Sequence, residues 1–317
     1  MAEAETGQRA ALVAEGVHKR YGDTVALDGV SLSIPAGEVF GLVGPNGAGK
    51  TTLVRALTGT TRCEGSISVL GSAPNAVDAH RVGLLPQSFH PADRLTAREL
   101  IAYYAGLYDE ARPVDAVLDD VGLADDADTW YENLSGGQRR RACVGTALVN
   151  DPDVLFLDEP TTGIDPAGRR SLWSLVDDLA AGGTTVLLTS HSMAEVERLA
   201  DRVGLLRDGS LVAVGSPDEL IAEHGGDSHL LVDGVTVGAT TVASALDAEV
   251  GERDGRLVVR NVALAEVGDD VEELEAAGVD FDSFTWAEPS LEDVYLRLTG
   301  EAMTEVGIGG TVGEGDR

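Results

Sequence analysis

The chain is 317 residues long and 43% hydrophobic, which is enough for one large domain and a second, smaller one. It carries 54 acidic and 23 basic residues, a formal net charge of −31, and only two lysines, Lys19 and Lys50. Nucleic-acid phosphates are bound by basic stripes, and the sequence contains none. Nucleic acid is therefore excluded as the expected main partner.

The acidic excess also bears on the solvent in which the protein folds. Like charges at this density repel one another, and molar salt relieves the repulsion by shrinking the Debye length to roughly 3 Å. The composition is therefore typical of a halophile with a salt-saturated cytosol. The alternative is an acidic protein from an ordinary cell. Cys63 and Cys143 lie in no metal-binding spacing and fit reduced thiols of a cytosolic protein.

The first elements predict strands that lead into a glycine-rich loop. Val30, Leu32 and Ile34 alternate with polar residues, as in a strand with one buried face. Val39–Val43 is a second, apolar strand that runs directly into the loop. A helix follows the loop and ends at Gly59.

A helical subdomain is predicted between about residues 88 and 150. Its first helix is opened by Thr96 and Glu99, which form a capping box. A buried strand, Val154–Leu157, follows the subdomain. Asp165 then caps the start of a long helix.

Strands and helices keep alternating after that helix. Thr184–Thr189 predicts a strand, and Asp208-Gly209 predicts a hairpin turn. Between them, Ser192 and Glu195 predict the capping box of another helix. This alternation is typical of a parallel sheet with helices on both faces, so we predict one α/β domain over residues 11–225.

The pattern changes after that domain. Between residues 226 and 300 we expect strand, helix, two strands, helix, strand and helix, which predicts a small C-terminal α+β domain of the ferredoxin-like type. Residues 301–317 are rich in Gly, Glu and Thr and predict a disordered tail. The first domain is not repeated.

The glycine-rich loop fits the phosphate-binding motif G-x-x-x-x-G-K-[ST], the P-loop. It stands between a strand and a helix, as the motif requires, and consists of Gly44, Pro45, Asn46, Gly47, Ala48, Gly49, Lys50, Thr51 and Thr52. Its backbone N–H groups and the helix N-terminus suit phosphate oxygens. Lys50 suits the β- and γ-phosphates, where a guanidinium does not substitute for a compact ammonium, and the Thr51 hydroxyl suits Mg²⁺.

Two carboxylates end the strand that begins at Val154. Asp158 suits a Mg²⁺ contact, and Glu159 then suits a general base that polarises a water attacking the γ-phosphate. A lone strand that ends in two acids is more often simply solvated. The phosphate loop elsewhere in the chain favours the catalytic interpretation.

The segment Leu134–Gln138 has two interpretations. Ser135 and Gln138 form a capping box, so the segment is at least a helix start. A cap does not explain Gly136 and Gly137, because glycine costs stability in the first helical turn. These glycines instead expose N–H groups to an incoming anion.

The chain resembles the nucleotide-binding domain of ABC transporters in five motifs, which occur in the family's order: Gly44–Thr52, Gln87, Leu134–Gln138, Val154–Glu159 and His191. The resemblance covers roughly residues 11–225 and implies a P-loop NTPase fold with an inserted helical subdomain. It also implies a head-to-tail homodimer, or a heterodimer with a similar ATPase, that binds MgATP. Each ATP would lie between one subunit's P-loop and the partner's Ser135, Gly136, Gly137 and Gln138.

The resemblance also implies roles for single residues. Tyr21 would stack on adenine, and Gln87 would contact Mg²⁺ and the attacking water. Asp165 would cross the dimer interface, and His191 would hydrogen-bond the γ-phosphate. On sequence alone each has a plainer interpretation: a surface tyrosine, a surface glutamine, an N-cap and an inert histidine.

The segment Glu288–Gly300 looks like the end of the C-terminal extension of ABC-2 export ATPases, the daunorubicin-resistance-like group. By periodicity alone it is a capped helix with one apolar face, formed by Leu291, Val294, Tyr295 and Leu298, which packing would explain.

The resemblance therefore predicts an ATPase that powers export through a separate membrane permease. No apolar run approaches the ~18 residues of a membrane span, so we expect a peripheral protein at the cytoplasmic face of the membrane. One alternative is an importer ATPase, which a longer C-terminal β-barrel domain would favour. The other is a soluble ABC ATPase of translation or DNA repair, which two ATPase domains or a nucleic-acid-binding insertion would favour.

Overall fold

The computed structural model describes residues 9–253 and 255–300. Contacts between its elements divide the chain after Pro217 into an N-terminal unit and a C-terminal unit. The predicted tail, 301–317, lies outside the described residues. Within the described part of the chain, no helix is long and apolar enough to cross a membrane.

The N-terminal unit alternates strands and helices over most of its length. In chain order its elements are β1 (Ala10–Tyr21), β2 (Thr24–Pro35), β3 (Val39–Val43), α1 (Lys50–Leu57), β4 (Glu64–Val69), β5 (Val82–Leu85), α2 (Ala97–Ala105), α3 (Val114–Asp120), α4 (Gly136–Thr146), β6 (Val154–Asp158), α5 (Pro166–Ala181), β7 (Thr185–Ser190), α6 (Met193–Leu199), β8 (Arg202–Arg207) and β9 (Ser210–Gly215). The predicted helical subdomain contains α2, α3 and α4, and a short 3-10 helix, Tyr131–Asn133, lies between α3 and α4.

A six-stranded sheet with the order β5-β6-β7-β3-β8-β9 positions the site. All its neighbouring strands are parallel except β8 and β9, which form the predicted hairpin through Asp208 and Gly209. Strand β7 lies between β3 and β6, with Thr189 opposite Asp158 and Ser190 opposite Val43. The carboxyl ends of these three strands therefore meet at one edge of the sheet, where ligands bind in open α/β sheets.

An antiparallel sheet with the order β2-β1-β4 packs its apolar face on the same core. Val30, Leu32 and Ile34 of β2 are buried, as their alternation predicts. They join a cluster that includes Phe40 of β3 and Leu53 of α1, so the strand before the P-loop and the helix after it are anchored in one core.

The capping box of Thr96 and Glu99 is confirmed. Two other predicted caps occupy the expected N-cap positions but form no side-chain capping hydrogen bond. Asp165 occupies the N-cap position of α5, but its side chain accepts no capping hydrogen bond. Ser192 likewise occupies the N-cap position of α6 without a capping hydrogen bond. Its predicted capping box with Glu195 does not form, because the Glu195 side chain turns inward. That carboxylate accepts hydrogen bonds from Thr161 Oγ1 at 2.9 Å, Ser190 Oγ at 2.5 Å and Trp173 Nε1 at 3.2 Å.

The C-terminal unit is built on one antiparallel sheet with the order β11-β12-β10-β13. Its elements are α7 (Pro217–Leu220), β10 (His229–Asp233), α8 (Ala239–Leu246), β11 (Val250–Arg253), β12 (Arg256–Arg260), α9 (Val267–Ala276), β13 (Ser283–Ala287) and α10 (Leu291–Thr299). This is the β-α-β-β-α-β arrangement of ferredoxin-like domains. Helices α8 and α9 contribute Val242 and Leu274 to its core.

The final helix buries most of its apolar face. Leu291, Val294 and Tyr295 are at most 2% exposed, whereas Leu298 is 36% exposed. The segment Ile221–Gly225 packs against α10 and belongs to the C-terminal unit. The sequence alone predicted it at the end of the first domain.

Candidate functional site

The P-loop joins β3 to α1 and packs tightly between neighbouring backbones. Gly49 has φ 110°, and a Cβ there would lie 2.4 Å from the carbonyl oxygen of Ala26. A Cβ on Gly44 would lie 2.2 Å from the carbonyl oxygen of Leu206. Real side chains do not tolerate such distances, so packing requires glycine at both ends of the loop, and at Gly49 the backbone conformation requires it as well.

Lys50, the first residue of α1, is 5% exposed. Its Nζ donates hydrogen bonds to the carbonyl oxygens of Gly44 at 2.6 Å and Pro45 at 3.1 Å, and it lies 3.8 Å from Glu159 Oε1. Burial lowers the pKa of Lys50, and the nearby carboxylates of Glu159 and Asp158 oppose that shift. The ammonium is thus held beside the phosphate loop and directly opposite the acidic end of β6.

Asp158 ends β6 and is 2% exposed. Its Oδ1 accepts hydrogen bonds from Thr189 Oγ1 at 2.6 Å and from Thr51 Oγ1 at 3.4 Å. Thr189 was not among the site residues predicted from the sequence. A threonine that precedes Ser190 and His191 in an apolar strand was the available signal, because a buried hydroxyl needs a partner.

Glu159 is the centre of the cluster. It has φ 48°, which is unusual for a residue with a side chain, and its backbone N–H donates to Thr189 Oγ1 at 2.9 Å. Its Oε2 accepts hydrogen bonds from Gln87 Nε2 at 2.9 Å and Thr162 Oγ1 at 3.3 Å, and lies 3.8 Å from His191 Nδ1. A left-handed backbone persists where surrounding contacts enforce it, as at many functional sites.

Arg140, in the second turn of α4, holds the backbone on both sides of Glu159 through hydrogen bonds. Its guanidinium donates to the carbonyl oxygens of Pro160 at 2.7 Å, Glu159 at 3.0 Å and Asp158 at 3.1 Å. Burial lowers the pKa of Arg140, and the acidic neighbours partly offset that effect. Arg140 was not predicted from the sequence either, although the basic run Arg139–Arg141 directly follows Gln138.

The helix start at Ser135 has both halves of the predicted capping box. Ser135 Oγ accepts from the backbone N–H of Gln138 at 3.2 Å, and Gln138 Oε1 accepts from the backbone N–H of Ser135 at 2.9 Å. Gly137 also has a packing reason that the sequence does not show, since a Cβ there would lie 2.7 Å from Gly168 Cα. Gly136 is exposed, and its Cβ position is not crowded.

Tyr21 lies apart from the cluster, at the end of β1. Its ring is 46% exposed, and the ammonium of Lys19 lies 4.8 Å from the ring centroid. Its hydroxyl is 3.5 Å from Thr61 Oγ1, and this hydrogen bond is the main cause that lowers the pKa of Tyr21. Lys19, the other lysine of the chain besides Lys50, thus contacts an exposed aromatic ring through a cation–π interaction.

The predicted site residues fall into three groups. The first surrounds Glu159 and contains Lys50, Thr51, Gln87, Asp158 and His191. The second contains Ser135, Gly136, Gly137, Gln138 and Asp165, with Asp165 beside Gly137. Tyr21 is the third. Among the residues that the structure describes, no hydrogen bond or ion pair joins the second group to Lys50, Asp158 or Glu159.

The chemistry of the first group fits Mg²⁺. Within residues 9–253 and 255–300, no group of three or more His, Cys, Asp or Glu side chains could hold a metal ion alone. The hydroxyl of Thr51 and the carboxylate of Asp158 are hard oxygen donors 3.4 Å apart. Mg²⁺ prefers one or two such donors completed by phosphate oxygens and water.

Relatives of known description resemble the chain over nearly its whole length. The ABC transporter family pattern matches residues 27–162. The daunorubicin resistance ATP-binding protein of Streptomyces coeruleorubidus is 39% identical, over 92% of this chain and 96% of the relative. The chain belongs to the ATP-binding proteins of ABC transporters. Members of this family hydrolyse ATP, so the chain is an ABC transporter ATPase.

Other ABC ATPases share the sequence and the fold. A Nod factor export ATP-binding protein of Rhizobium meliloti is 37% identical over 91% of this chain and 88% of its own length. A linearmycin resistance ATP-binding protein of Bacillus subtilis is 35% identical over 93% of this chain and 100% of its own. The ADP conformation of an ABC transporter ATP-binding cassette has a TM-score of 0.60 and 27% identity, covering 68% of this chain and 94% of that one.

Proposed function

We propose that Glu159 is the general base of this ABC transporter ATPase, and that the chain powers export through a separate membrane permease. The observation that carries the proposal is the convergence of Lys50, Gln87 and His191 on the buried carboxylate of Glu159. A carboxylate placed between a P-loop lysine, an amide and an imidazole can orient a water and accept its proton.

Each residue of the cluster then has a separate task. The P-loop N–H groups and Lys50 bind the phosphates, and His191 donates to a γ-phosphate oxygen. Gln87, which already donates to Glu159, fixes the carboxylate toward the attacking water. Thr51 and Asp158 would hold Mg²⁺, which when bound offsets the charge of the phosphate oxygens.

The second group and Tyr21 complete the nucleotide site in a head-to-tail dimer. Gly136 is exposed at the start of α4, where the helix N-terminus suits a phosphate that a partner subunit presents. The capping box of Ser135 and Gln138 orders that helix start. Asp165 adjoins Gly137 and would face the same interface. Tyr21 has an exposed ring on which adenine can stack.

The direction of transport follows from the relatives. The names of two relatives state resistance, to daunorubicin and to linearmycin, and the name of the third states export of Nod factor. Each is described as an ATP-binding protein, so the substrate path belongs to another subunit. The chain would therefore act as a peripheral protein on the cytoplasmic face of a permease.

The test couples hydrolysis to transport. Inside-out vesicles that contain the permease partner are supplied with the chain and MgATP in molar KCl. We expect nucleotide-dependent accumulation of substrate that is lost with Lys50→Ala. Undiminished transport by vesicles that carry Lys50→Ala would contradict the proposal, as would full ATP turnover by that variant.

A further inference from the structure

The C-terminal unit contains a cavity of about 470 Å³ that is separate from the residues around Glu159. It lies where β10 and β11 begin and β12 ends, and α10 closes one side. A cavity of this size is large enough for a small organic ligand. All its lining residues belong to the C-terminal unit, so the inference does not depend on the proposed function.

Basic side chains concentrate at this cavity. Residues 218–300 contain twenty acidic residues, four arginines and no lysine. Three of those arginines, Arg253, Arg260 and Arg297, line the cavity together with His229, which is 5% exposed. Seven Asp and Glu side chains also line the cavity, so its charge is mixed. A unit with so few cations has nonetheless placed most of them around this one space, which indicates a subsite for a negatively charged group.

The floor of the cavity is a fixed polar network. Arg253 Nη1 donates to Asp293 Oδ1 at 2.8 Å, and its Nη2 lies 3.5 Å from His229 Nε2. Asp293 also accepts the backbone N–H of Ser290 at 2.9 Å, which fixes it at the start of α10. Burial lowers the pKa of His229, and Arg253 and Arg260 lower it further while Asp293 opposes them. The floor is therefore ordered before any ligand arrives.

Two of the guanidinium groups retain unused donors. Arg260 Nε is buried and forms no hydrogen bond; Glu249 Oε1 lies 3.4 Å away, close enough for an ion pair but outside hydrogen-bond geometry. Arg297 is exposed and makes no hydrogen bond or ion pair with the residues that the structure describes. Buried donors are normally paired, and a carboxylate matches the fork of a guanidinium.

The mouth of the cavity has the opposite charge. The carboxylates of Asp227, Asp247, Glu252 and Glu266 line it and are exposed, whereas the exposed carboxylate of Glu249 already lies beside Arg260. They repel a polyanion such as a nucleotide and attract a cation. We propose that the cavity binds a small zwitterion, with its carboxylate at Arg260 and Arg297 and its ammonium group at the acidic mouth.

Binding to the full chain is measured by calorimetry at constant salt, with 6-aminohexanoate as the probe. Hexanoate and hexylamine, which carry only one of the two charges, are the comparison ligands. We expect 6-aminohexanoate to bind about tenfold more tightly than either, because each analogue leaves one set of charges unpaired. Equal affinity for hexanoate would contradict the role of the acidic mouth. No detectable binding of 6-aminohexanoate would overturn the proposal.

The variants locate the site. Arg260→Met and Arg297→Met are each expected to weaken binding of 6-aminohexanoate by about tenfold or more. Arg256→Met is the matched control, because Arg256 lies on the same strand, outside the cavity, and pairs with Asp233 at 2.8 Å. Arg297 is exposed, so its replacement should not disturb folding. ATP affinity should stay unchanged in all three variants, and probe binding that survives both cavity substitutions would overturn the assignment.

Discussion

Replacement of Arg140 by methionine tests how the strained general base is held. The guanidinium donates to three successive backbone carbonyls, those of Asp158, Glu159 and Pro160. Hydrogen bonds from charged donors contribute about 1.5–3 kcal/mol each, but water can replace some of them at a half-buried side chain. We therefore expect Arg140→Met to lower the free energy of unfolding by about 2–4 kcal/mol.

We expect Arg140→Met to lower kcat as well, for a reason separate from the loss of stability. Glu159 has φ 48°, so its carboxylate depends on contacts that keep the backbone in that conformation. A displacement of about 1 Å in a catalytic group can cost up to about 100-fold in rate. We expect kcat to fall roughly 10- to 100-fold in Arg140→Met. KM for ATP should change little, because Lys50 and the P-loop are untouched.

The neighbouring arginine supplies the matched control. Arg141 donates to the carbonyl oxygens of Val121 and Gly122, both at 2.8 Å, far along the chain from β6. Arg141→Met should lose stability in urea unfolding but keep its kcat, with both assays at the same molar KCl. If Arg140→Met retains kcat within twofold, or Arg141→Met loses as much, the positioning role of Arg140 is refuted.

Three further predictions concern salt, adenine and pH. The net charge of −31 predicts that the melting temperature rises between about 0.1 M and 2 M KCl. A melting temperature that does not change with salt would count against halophilic adaptation. Tyr21→Ala should raise KM for ATP about tenfold with kcat unchanged, because base stacking is worth about 1–3 kcal/mol; an unchanged KM would remove Tyr21 from the site. His229 has a lowered pKa in the folded state, so the unfolded chain takes up the proton first and stability should fall as pH drops below about 6.5. His229→Gln should flatten that slope, and an identical slope in the variant would contradict this cause.

The sequence predicted the site best where function depends on local spacing. The P-loop motif places Lys50 and Thr51 at the first two positions of α1, and the apolar run before Asp158 marks a buried strand. The strands before the P-loop and before Glu159 are β3 and β6, which run parallel in one sheet. Their carboxyl ends therefore lie at the same edge, which brings Lys50 and Glu159 within 3.8 Å of each other. The capping box of Ser135 and Gln138 is local as well.

The residues that were missed act through contacts distant in sequence. Thr189 on β7 donates a hydrogen bond to Asp158 on the neighbouring strand β6, and Arg140 on α4 donates to the carbonyl oxygen of Asp158. Glu195 has the spacing of a capping residue, but hydroxyl and indole donors on other elements draw it inward. Local patterns do not encode such pairings. The roles of Asp165 and Gly136 in a dimer remain predictions, since they need a second subunit.

The central claim is tested most directly by ATP turnover and ATP binding in Glu159→Gln. The substitution keeps the size of the side chain and removes its proton-accepting charge. The account predicts that this variant binds ATP as tightly as the wild type and accumulates as an ATP-bound dimer. Its turnover should fall by about 10²–10⁴-fold, the usual contribution of general-base catalysis. Turnover within about threefold of the wild type would remove Glu159 from the base role and contradict the account.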